Sequence, residues 1–249
     1  MWNKSFVIIV FASFFLSCVA LWRASVGPSA ERMMDSILME MNKKPEVVAK
    51  VTIEGMRKLQ KDQEEKEKTE KIAKIKSRKS ELLDDYKSPF AGPRDADVTL
   101  LVFFDYHCGF CRSAYATVER LLKEDKNLRV IFKEYPIFGD LSLSKAALAA
   151  HKQGRYMDFY TIFMKSDGQF TQEGIVDIAR KLKMNVKKFV RDMNSKEVLK
   201  QVQANMNLGR SLDISATPTF VFGQNVIPGA IPLDELKKEI RAERMQKAG

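Results

Sequence analysis

The clearest pattern along the chain is a series of short apolar runs separated by longer stretches with helical periodicity. Val98 to Phe104 contains only aliphatic, aromatic and β-branched residues, which is typical of a strand buried on both faces. Further strands are predicted at 128–135, 219–222 and 226–227. Apolar residues three and four positions apart predict helices at 113–122, 144–153, 156–164, 171–182, 186–193, 195–212 and 233–246.

The order of these elements indicates the fold class. It runs strand, helix, strand, helical block, β-hairpin and helix. Such an alternation is typical of a sheet with helices packed on its faces. We therefore predict an α/β protein with a thioredoxin-like fold and a helical insertion, preceded by an N-terminal helical stalk.

The segment from residue 28 to 90 has a different pattern. Its first helix is predicted to have a single apolar stripe, formed at helical spacing by Met34, Ile37, Leu38 and Met41. An isolated amphipathic helix of this length is only marginally stable. We therefore expect the stripe to mediate self-association, with packing of the same face on its own catalytic domain as the alternative.

Turn-forming residues at 88–93 mark the end of this segment. The chain is accordingly predicted to have three parts. Residues 1–27 form a signal peptide or anchor, residues 28–90 form a helical oligomerisation stalk and linker, and residues 91–249 form the catalytic domain.

The first part has the composition of an export signal. Lys4 precedes an uncharged, mostly apolar run at 6–22, which Arg23 closes. This arrangement predicts a secretory signal peptide. An uncleaved membrane anchor is the alternative, because a run of about 17 residues is near the lower limit for spanning a bilayer. A lipoprotein signal ending at Cys18 fits less well. We predict a periplasmic location in a bacterium.

The motif Cys108-Gly109-Phe110-Cys111 follows the first strand of the catalytic domain almost directly. The first sulfur then lies at a helix N-terminus, where free N–H groups and the helix dipole stabilise a thiolate. Cys111 lies on the same side of the first helical turn, where a disulfide with Cys108 closes without strain. A stable thiolate is also a good leaving group, so such a disulfide is easily reduced. The motif therefore predicts thiol–disulfide chemistry.

Two other interpretations of the motif fit less well. Zinc needs four ligands, whereas the chain has one further cysteine, Cys18, and its two histidines, His107 and His151, lack zinc-finger spacing. A structural disulfide across two residues would constrain the unfolded chain little. We predict no metal and no cofactor.

Charge excludes one class of partner. The chain has 42 basic and 32 acidic residues and a net charge of +10, but the two signs are interleaved. Nucleic-acid binding requires a basic face with aromatic platforms, and the basic excess lies mostly on a stretch without aromatics. We therefore expect no nucleic-acid partner.

Three segments, FFDYHCGFC, KEYPIFG and SATPTFVFG, resemble the DsbA family of bacterial thiol–disulfide oxidoreductases. The resemblance extends from Asp95 to the C-terminus. The Met-striped helix, the segment after Pro45 and the charged linker further resemble the branch that contains suppressor-of-copper-sensitivity protein C. Members of that branch trimerise through an N-terminal stalk and act as disulfide isomerases. The resemblance thus implies a homotrimer formed through residues 28–60.

The resemblance also assigns roles to the motif. Cys108 would be the exposed nucleophile and Cys111 the resolving partner. Gly109 and Phe110 would tune the thiolate. His107 is expected to shape the surroundings of the thiolate, with a solvated loop histidine as the alternative.

Two other positions matter in the comparison with the family. Thr217-Pro218 matches the cis-proline loop that faces the motif, where it would hold an extended substrate. Relatives commonly have a buried glutamate where this chain has Val102. Lys133 or Glu134 could replace it, although we expect both to be ordinary strand charges.

The leading functional hypothesis is disulfide exchange with exported proteins, kept in its working redox state by a membrane or periplasmic partner. Isomerisation is favoured over net oxidation, because several active sites on one stalk suit a bulky misfolded client. A monomeric dithiol oxidase is the alternative. From other classes we consider a tethered chaperone and a Cu(I) carrier, which would use the two thiolates and the stalk methionines Met33, Met34, Met39 and Met41.

Overall fold

The computed structural model describes residues 28–83, 87–166 and 169–248. It divides into two compact units, with the division between Glu67 and Lys68. The predicted signal segment, including Cys18, lies outside the described residues.

The first unit is helical. Helix α1 spans Pro28–Lys43, and helix α2 spans Pro45–Ser77 and continues into the second unit. Proline suits the first turn of α2, because that position needs no backbone N–H donor. The four residues of the predicted apolar stripe lie on α1 and are all exposed. The predicted N-terminal helical region is thus confirmed, whereas its self-association stays a prediction.

None of the described helices is both long enough and apolar enough to cross a bilayer.

The second unit is built on a five-stranded sheet of order β1-β3-β2-β4-β5. Strands β2 and β3 are parallel, and every other neighbouring pair is antiparallel. The strands are β1 Phe90–Ala91, β2 Val98–Phe104, β3 Leu128–Glu134, β4 Thr219–Phe222 and β5 Asn225–Pro228. The predicted strands are therefore present, and β2 lies at the centre as its uninterrupted apolar run indicates.

Helices surround this sheet. The helical insertion predicted between the second and third sequence strands is present as a block of five helices. The helices of this unit after α2 are α3 Lys79–Leu83, α4 Gly109–Glu124, α5 Ser142–His151, α6 Tyr156–Met164, α7 Gln172–Lys181, α8 Val186–Met193, α9 Lys196–Ser211 and α10 Leu233–Ala248. The α/β thioredoxin-like fold with a helical insertion is confirmed.

The sheet separates two hydrophobic cores. Because successive strand residues point to opposite faces, Val102 and Phe104 enter one core and Leu101 and Phe103 the other. We call the first, which contains both cysteines of the motif, the front core, and the second the back core.

The back core includes residues that precede β1. Ile75 of α2 and Leu82 of α3, which belong to the predicted linker, are buried there beside Ile131 and Val221. The end of the linker therefore contributes apolar side chains to the core of the second unit.

Candidate active site

The junction between β2 and α4 places the first cysteine at a helix end. Cys108 is the N-cap of α4, with an extended backbone (φ −83°, ψ 116°), and the helix begins at Gly109. The Cys108 carbonyl accepts hydrogen bonds from the amides of Cys111 and Arg112, at 3.0 and 3.2 Å. Both cysteines are thiols and are buried, with exposed fractions of 5% for Cys108 and 2% for Cys111. The expectation that Cys108 is exposed is therefore wrong, because the Thr217–Pro218 loop covers its sulfur.

The loop before β4 faces this helix end. The Thr217–Pro218 peptide bond is cis, as the resemblance implies. The Cys108 thiol donates a hydrogen bond to the Thr217 carbonyl oxygen, with a sulfur-to-oxygen distance of 3.1 Å. The structure therefore brings together the motif and the loop that the sequence placed more than a hundred residues apart.

Cys111 has the more buried surroundings. Burial raises the pKa of the Cys111 thiol, and hydrogen bonding from the Asp105 backbone and the Thr217 side chain opposes this change only in part. The Thr217 hydroxyl is itself buried and has no hydrogen bond of regular geometry within the described residues. Cys111 therefore holds its proton firmly, and a reaction that uses its sulfur as a nucleophile needs a proton acceptor.

Asp105 organises the loop that leads to the motif. Its side chain is buried, and its Oδ1 accepts a hydrogen bond from the amide of His107 at 2.9 Å. The His107 ring lies between two carboxylates, with Nδ1 3.3 Å from Asp105 Oδ1 and Nε2 3.5 Å from Asp140 Oδ2. His107 is thus fixed by partners, so the loop histidine is not simply solvated.

The middle residues of the motif face outward. Phe110 is 70% exposed. A Cβ added at Gly109 would meet its nearest atom, on the Arg112 side chain, at 3.8 Å, which is an ordinary van der Waals contact. Both positions lie on the first turn of α4, directly after Cys108.

Glu134 is a fully buried carboxyl group at the end of β3, in register with Phe104 of β2. Its Oε1 accepts hydrogen bonds from the hydroxyls of Tyr106 and Tyr156, at 2.9 and 2.8 Å. Burial raises the pKa of Glu134 to about 8, against the lowering effect of hydrogen bonding from Tyr156, Ser144 and Tyr106. Its second oxygen, Oε2, has no hydrogen bond of regular geometry within the described residues.

Tyr160 packs against Tyr106, a hydrogen-bond partner of Glu134, and against Tyr115 of α4, with 6.3 and 5.6 Å between ring centroids. Its hydroxyl has a pKa well above the usual value, because of burial first and then of the nearby Cys111 and Glu134. Its ring stacks on Tyr156, with 6.1 Å between ring centroids. The Tyr160 ring therefore connects the tyrosines that bond Glu134 with α4, the helix that carries Cys111.

Lys133, the neighbour of Glu134, enters the back core and is also fully buried. Its Nζ donates to the Ser88 hydroxyl at 2.9 Å and to the Glu81 carbonyl at 3.3 Å. Neither Lys133 nor Glu134 is therefore at the surface, where an ordinary solvated strand charge would lie.

Sequence reasoning did not identify four residues of the site. Asp105, Tyr106, Tyr156 and Tyr160 were not singled out, although Asp105 stands out as an acid inside an otherwise apolar and aromatic run. Tyr106 and Tyr156 carry no sequence signal, since their common partner Glu134 is far from both along the chain. No group of three or more His, Cys, Asp or Glu side chains is arranged to hold a metal ion within the described ranges.

Residues 99–241 match the family described as DSBA-like thioredoxin domain. The probable disulfide bond formation protein D of Bacillus anthracis is 32% identical over 168 residues, which cover 61% of this chain and 76% of that protein. The chain spans a smaller part of other curated relatives, 22% of the length of a Na(+)/H(+) antiporter of Salinispora arenicola.

Solved structures show the same fold. A thioredoxin-like oxidoreductase from Silicibacter pomeroyi is 33% identical and has a TM-score of 0.63, with 67% of this chain and 97% of that chain covered. Proteus mirabilis ScsC in a transitional conformation has a TM-score of 0.64 at 23% identity, with 89% of this chain and 100% of that chain covered. The likeness to ScsC covers more of this chain than the likeness to the Silicibacter pomeroyi protein, and it concerns the fold alone.

Proposed function

The chain belongs to the DSBA-like thioredoxin domain family of thiol–disulfide oxidoreductases, and from that premise we propose that it exchanges disulfides with exported proteins through Cys108. The observation that carries this proposal is the position of the Cys108 thiol, at the N-cap of α4 and 3.1 Å from the Thr217 carbonyl. Helix N-termini favour a thiolate, and the thiolate is the form of cysteine that attacks a disulfide.

The first step forms a mixed disulfide. The Cys108 thiolate attacks one sulfur of a client disulfide, the client S–S bond breaks, and the second client sulfur leaves as a thiolate. The Thr217 carbonyl then no longer receives the hydrogen bond from the Cys108 thiol. The Thr217 carbonyl, next to Pro218, can then accept a hydrogen bond from the main chain of an extended client segment. The client segment would bind in the manner of an added β-strand.

The second step has two outcomes. In isomerisation the freed client thiolate, or another client thiolate, attacks the mixed disulfide and regenerates the Cys108 thiolate, so that the client disulfides are rearranged without net oxidation. In resolution the Cys111 sulfur attacks Cys108, the client leaves as a thiol with a proton from solvent, and a Cys108–Cys111 disulfide remains. Oxidation of a dithiol client is the reverse of resolution followed by the reverse of the first step: one client thiolate opens the Cys108–Cys111 disulfide, and the second client thiolate then displaces the Cys108 thiolate and forms the client disulfide.

Resolution requires removal of the proton from Cys111, and we assign Glu134 as the acceptor. Glu134 is fully buried and has a pKa of about 8, close to working pH, which is the range that serves proton transfer best. Tyr106 and Tyr156, which donate hydrogen bonds to Glu134, both pack against Tyr160, and Tyr160 packs against Tyr115 of α4, the helix that carries Cys111. In the reverse direction the protonated carboxyl returns the proton to the leaving Cys111 sulfur. Lys133 faces the other side of the sheet and is not a candidate.

We further propose that the stalk assembles the chain into a homotrimer that works as an isomerase. Support comes from α1, where Met34, Ile37, Leu38 and Met41 form one exposed apolar stripe. Burying such a stripe against copies of itself is the usual way to stabilise an amphipathic helix. Several active sites held together would act on one misfolded client. The periplasmic location and the redox partner are proposed with it.

Two assays on the full chain test the chemistry. The first measures the recovery of a multi-disulfide protein from its scrambled form, and the second measures oxidation of a dithiol peptide. An isomerase is expected to be active in the first when supplied reduced and to depend on Cys108. A protein that is active only in the second is an oxidase, and one that is active in neither contradicts the proposal. Activity that survives Cys108→Ser would favour a chaperone.

A pair of matched variants tests the stalk. Ile37→Glu places a charge in the apolar stripe, and Ser36→Glu places the same charge on the opposite face of the same helix. Light scattering is expected to find a trimer for the parent chain and for Ser36→Glu, and a monomer for Ile37→Glu with reduced isomerase activity. A monomeric parent chain, or a trimer that tolerates Ile37→Glu, would contradict the assembly.

A further inference from the structure

Helix α1 carries an unusual number of exposed thioether groups. Four of its 16 residues are exposed methionines, with exposed fractions of 65% for Met33, 48% for Met34, 64% for Met39 and 43% for Met41. In the second unit, by contrast, Met164 and Met193 are buried in the front core. The sulfur atoms of α1 are therefore open to small reagents in solvent, whereas those in the front core are covered.

Two of the four methionines belong to the apolar stripe. Met34 and Met41 are seven residues apart, so they lie on one face of the helix about two turns apart. Successive helical residues are rotated by about 100°, which places Met33 beside the stripe and Met39 on the opposite face. The helix therefore has the same chemical group at two positions inside the stripe and at two positions outside it.

Hydrogen peroxide converts the thioether of methionine to a sulfoxide. The sulfur gives up two electrons and takes one peroxide oxygen, the O–O bond breaks, and the other oxygen leaves as water. A sulfoxide is polar and accepts hydrogen bonds, so it is costly to bury in an apolar interface. Oxidation at Met34 or Met41 would therefore oppose burial of the stripe, whereas oxidation at Met39 would not.

We propose that Met34 and Met41 are modification sites, at which oxidation to the sulfoxide by a peroxide dissociates the stalk assembly and lowers isomerase activity. The inference rests on the proposed function, because it requires the stripe to be buried between copies of the chain. A methionine sulfoxide reductase reverses such a change. The assembly then responds to peroxide through sulfur atoms other than those of Cys108 and Cys111, which are buried.

The test treats the full chain with hydrogen peroxide, then measures its mass by light scattering and its sulfoxides by peptide mass spectrometry. Dithiothreitol is added before the mass is measured, so that disulfides formed during the treatment are reduced while the sulfoxides remain. As Met34 and Met41 are oxidised, the mass is expected to fall about threefold, from trimer to monomer, and recovery of the scrambled client is expected to slow. Methionine sulfoxide reductases for both epimers should restore the mass and the activity.

Two matched double variants locate the effect on the helix. Met34→Leu/Met41→Leu keeps the stripe apolar but removes its sulfur atoms, so this trimer is expected to persist through the treatment. Met33→Leu/Met39→Leu keeps the sulfur atoms of the stripe and is expected to dissociate like the parent chain. Dissociation of both variants, or of neither, would overturn the assignment to Met34 and Met41.

The outcomes separate this inference from the proposed function. A trimer that persists with a sulfoxide at both Met34 and Met41 would overturn the inference alone. The same holds if Met34 and Met41 stay unoxidised while Met39 reacts, or if removal of the sulfoxides fails to restore the trimer. A parent chain that is monomeric before treatment would overturn the proposed assembly, and the inference with it.

Discussion

Lys133 and Glu134 are neighbours on β3, both fully buried, yet they lie on opposite faces of the sheet in different surroundings. On the back face, Lys133 donates hydrogen bonds to Ser88 and to the end of α3, where a cation also interacts favourably with the helix dipole. On the front face, Glu134 lies among tyrosines, has an oxygen that receives no regular hydrogen bond from the described residues, and has a pKa of about 8.

The comparison distinguishes a buried charge that stabilises the fold from a buried group that can take part in the chemistry. A buried charge that is fully engaged with fixed partners stabilises one arrangement of the chain. A buried carboxyl group that exchanges its proton near neutral pH is suited to proton transfer. Since the two residues are adjacent in sequence, only the alternation of the strand decides which face each one reaches.

Cys108→Ser should have the largest effect, and only on the front face. Serine keeps the size of the side chain but removes the sulfur nucleophile, so we expect disulfide exchange to fall on the order of a thousandfold or more. The free energy of unfolding should change little. Exchange is measured with the scrambled client and stability by denaturant unfolding. An equal loss of both quantities would show that the front face is structural as well.

Glu134→Gln should slow resolution of the mixed disulfide by about a hundredfold, the lower range for loss of an acid–base group, while attack by Cys108 continues. Trapped mixed disulfide, seen by non-reducing electrophoresis, is the measurement. Glu173→Gln, at an exposed position on α7, is a control for the change of charge. Unchanged resolution in Glu134→Gln would assign proton transfer to another group.

The same variant has a defined effect on stability. The folded chain keeps the Glu134 proton up to about pH 8, whereas a carboxyl of ordinary pKa, 4.5, loses it earlier. Between these values the folded state binds more protons, so the free energy of unfolding should fall as pH rises, by at most about 1.4 kcal/mol per pH unit. The difference between the parent chain and Glu134→Gln should show this slope and become level above about pH 8. A difference that does not vary with pH would contradict the raised pKa.

Lys133→Met tests the back face. Methionine fills similar volume but removes the hydrogen bonds that Lys133 donates to the Ser88 hydroxyl and the Glu81 carbonyl, which should destabilise the second unit by about 1–3 kcal/mol. Exchange by the protein that remains folded should be unchanged. Lys200→Met, at an exposed position on α9, is the control and should stay within about 0.5 kcal/mol of the parent chain. A loss of exchange activity in Lys133→Met without a loss of stability would show that the back face also takes part in the chemistry.

Tyr156→Phe should have the smallest effect. It removes one hydrogen bond that stabilises the charged form of Glu134, so the pKa of this carboxyl should rise by about one pH unit. The pH dependence of resolution should shift upward by the same amount. Tyr115→Phe removes a hydroxyl that bonds Glu119 and Thr161 instead, and should leave the profile in place.

Much of the fold could be predicted from local patterns. The uninterrupted apolar run at Val98–Phe104 gave a central strand because only a strand buried on both faces tolerates it. The Cys108–Cys111 spacing and the strand-to-helix junction placed the motif correctly, and the approach of Thr217 to Cys108 agreed with the family resemblance.

The surroundings of the buried charges could not be predicted in this way. Lysine is rarely fully buried, so nothing in the sequence indicates that Lys133 enters the back core. The hydrogen bond of Glu134 with Tyr156 joins different elements whose distance depends on the packing of the whole helical block. Likewise, the hydrogen bond from the Phe138 amide to Asp105 joins the loops that follow β2 and β3, which are parallel neighbours in the sheet.

The burial of Ile75 and Leu82 in the back core has a practical consequence for fusion proteins that contain the second unit. A fusion that begins at β1 would lack Ile75 and Leu82. Leu101, Phe103 and Ile131 would then be exposed to water and would favour aggregation. The transferable module therefore starts upstream of Ile75, and a fusion joint belongs among the polar residues before it.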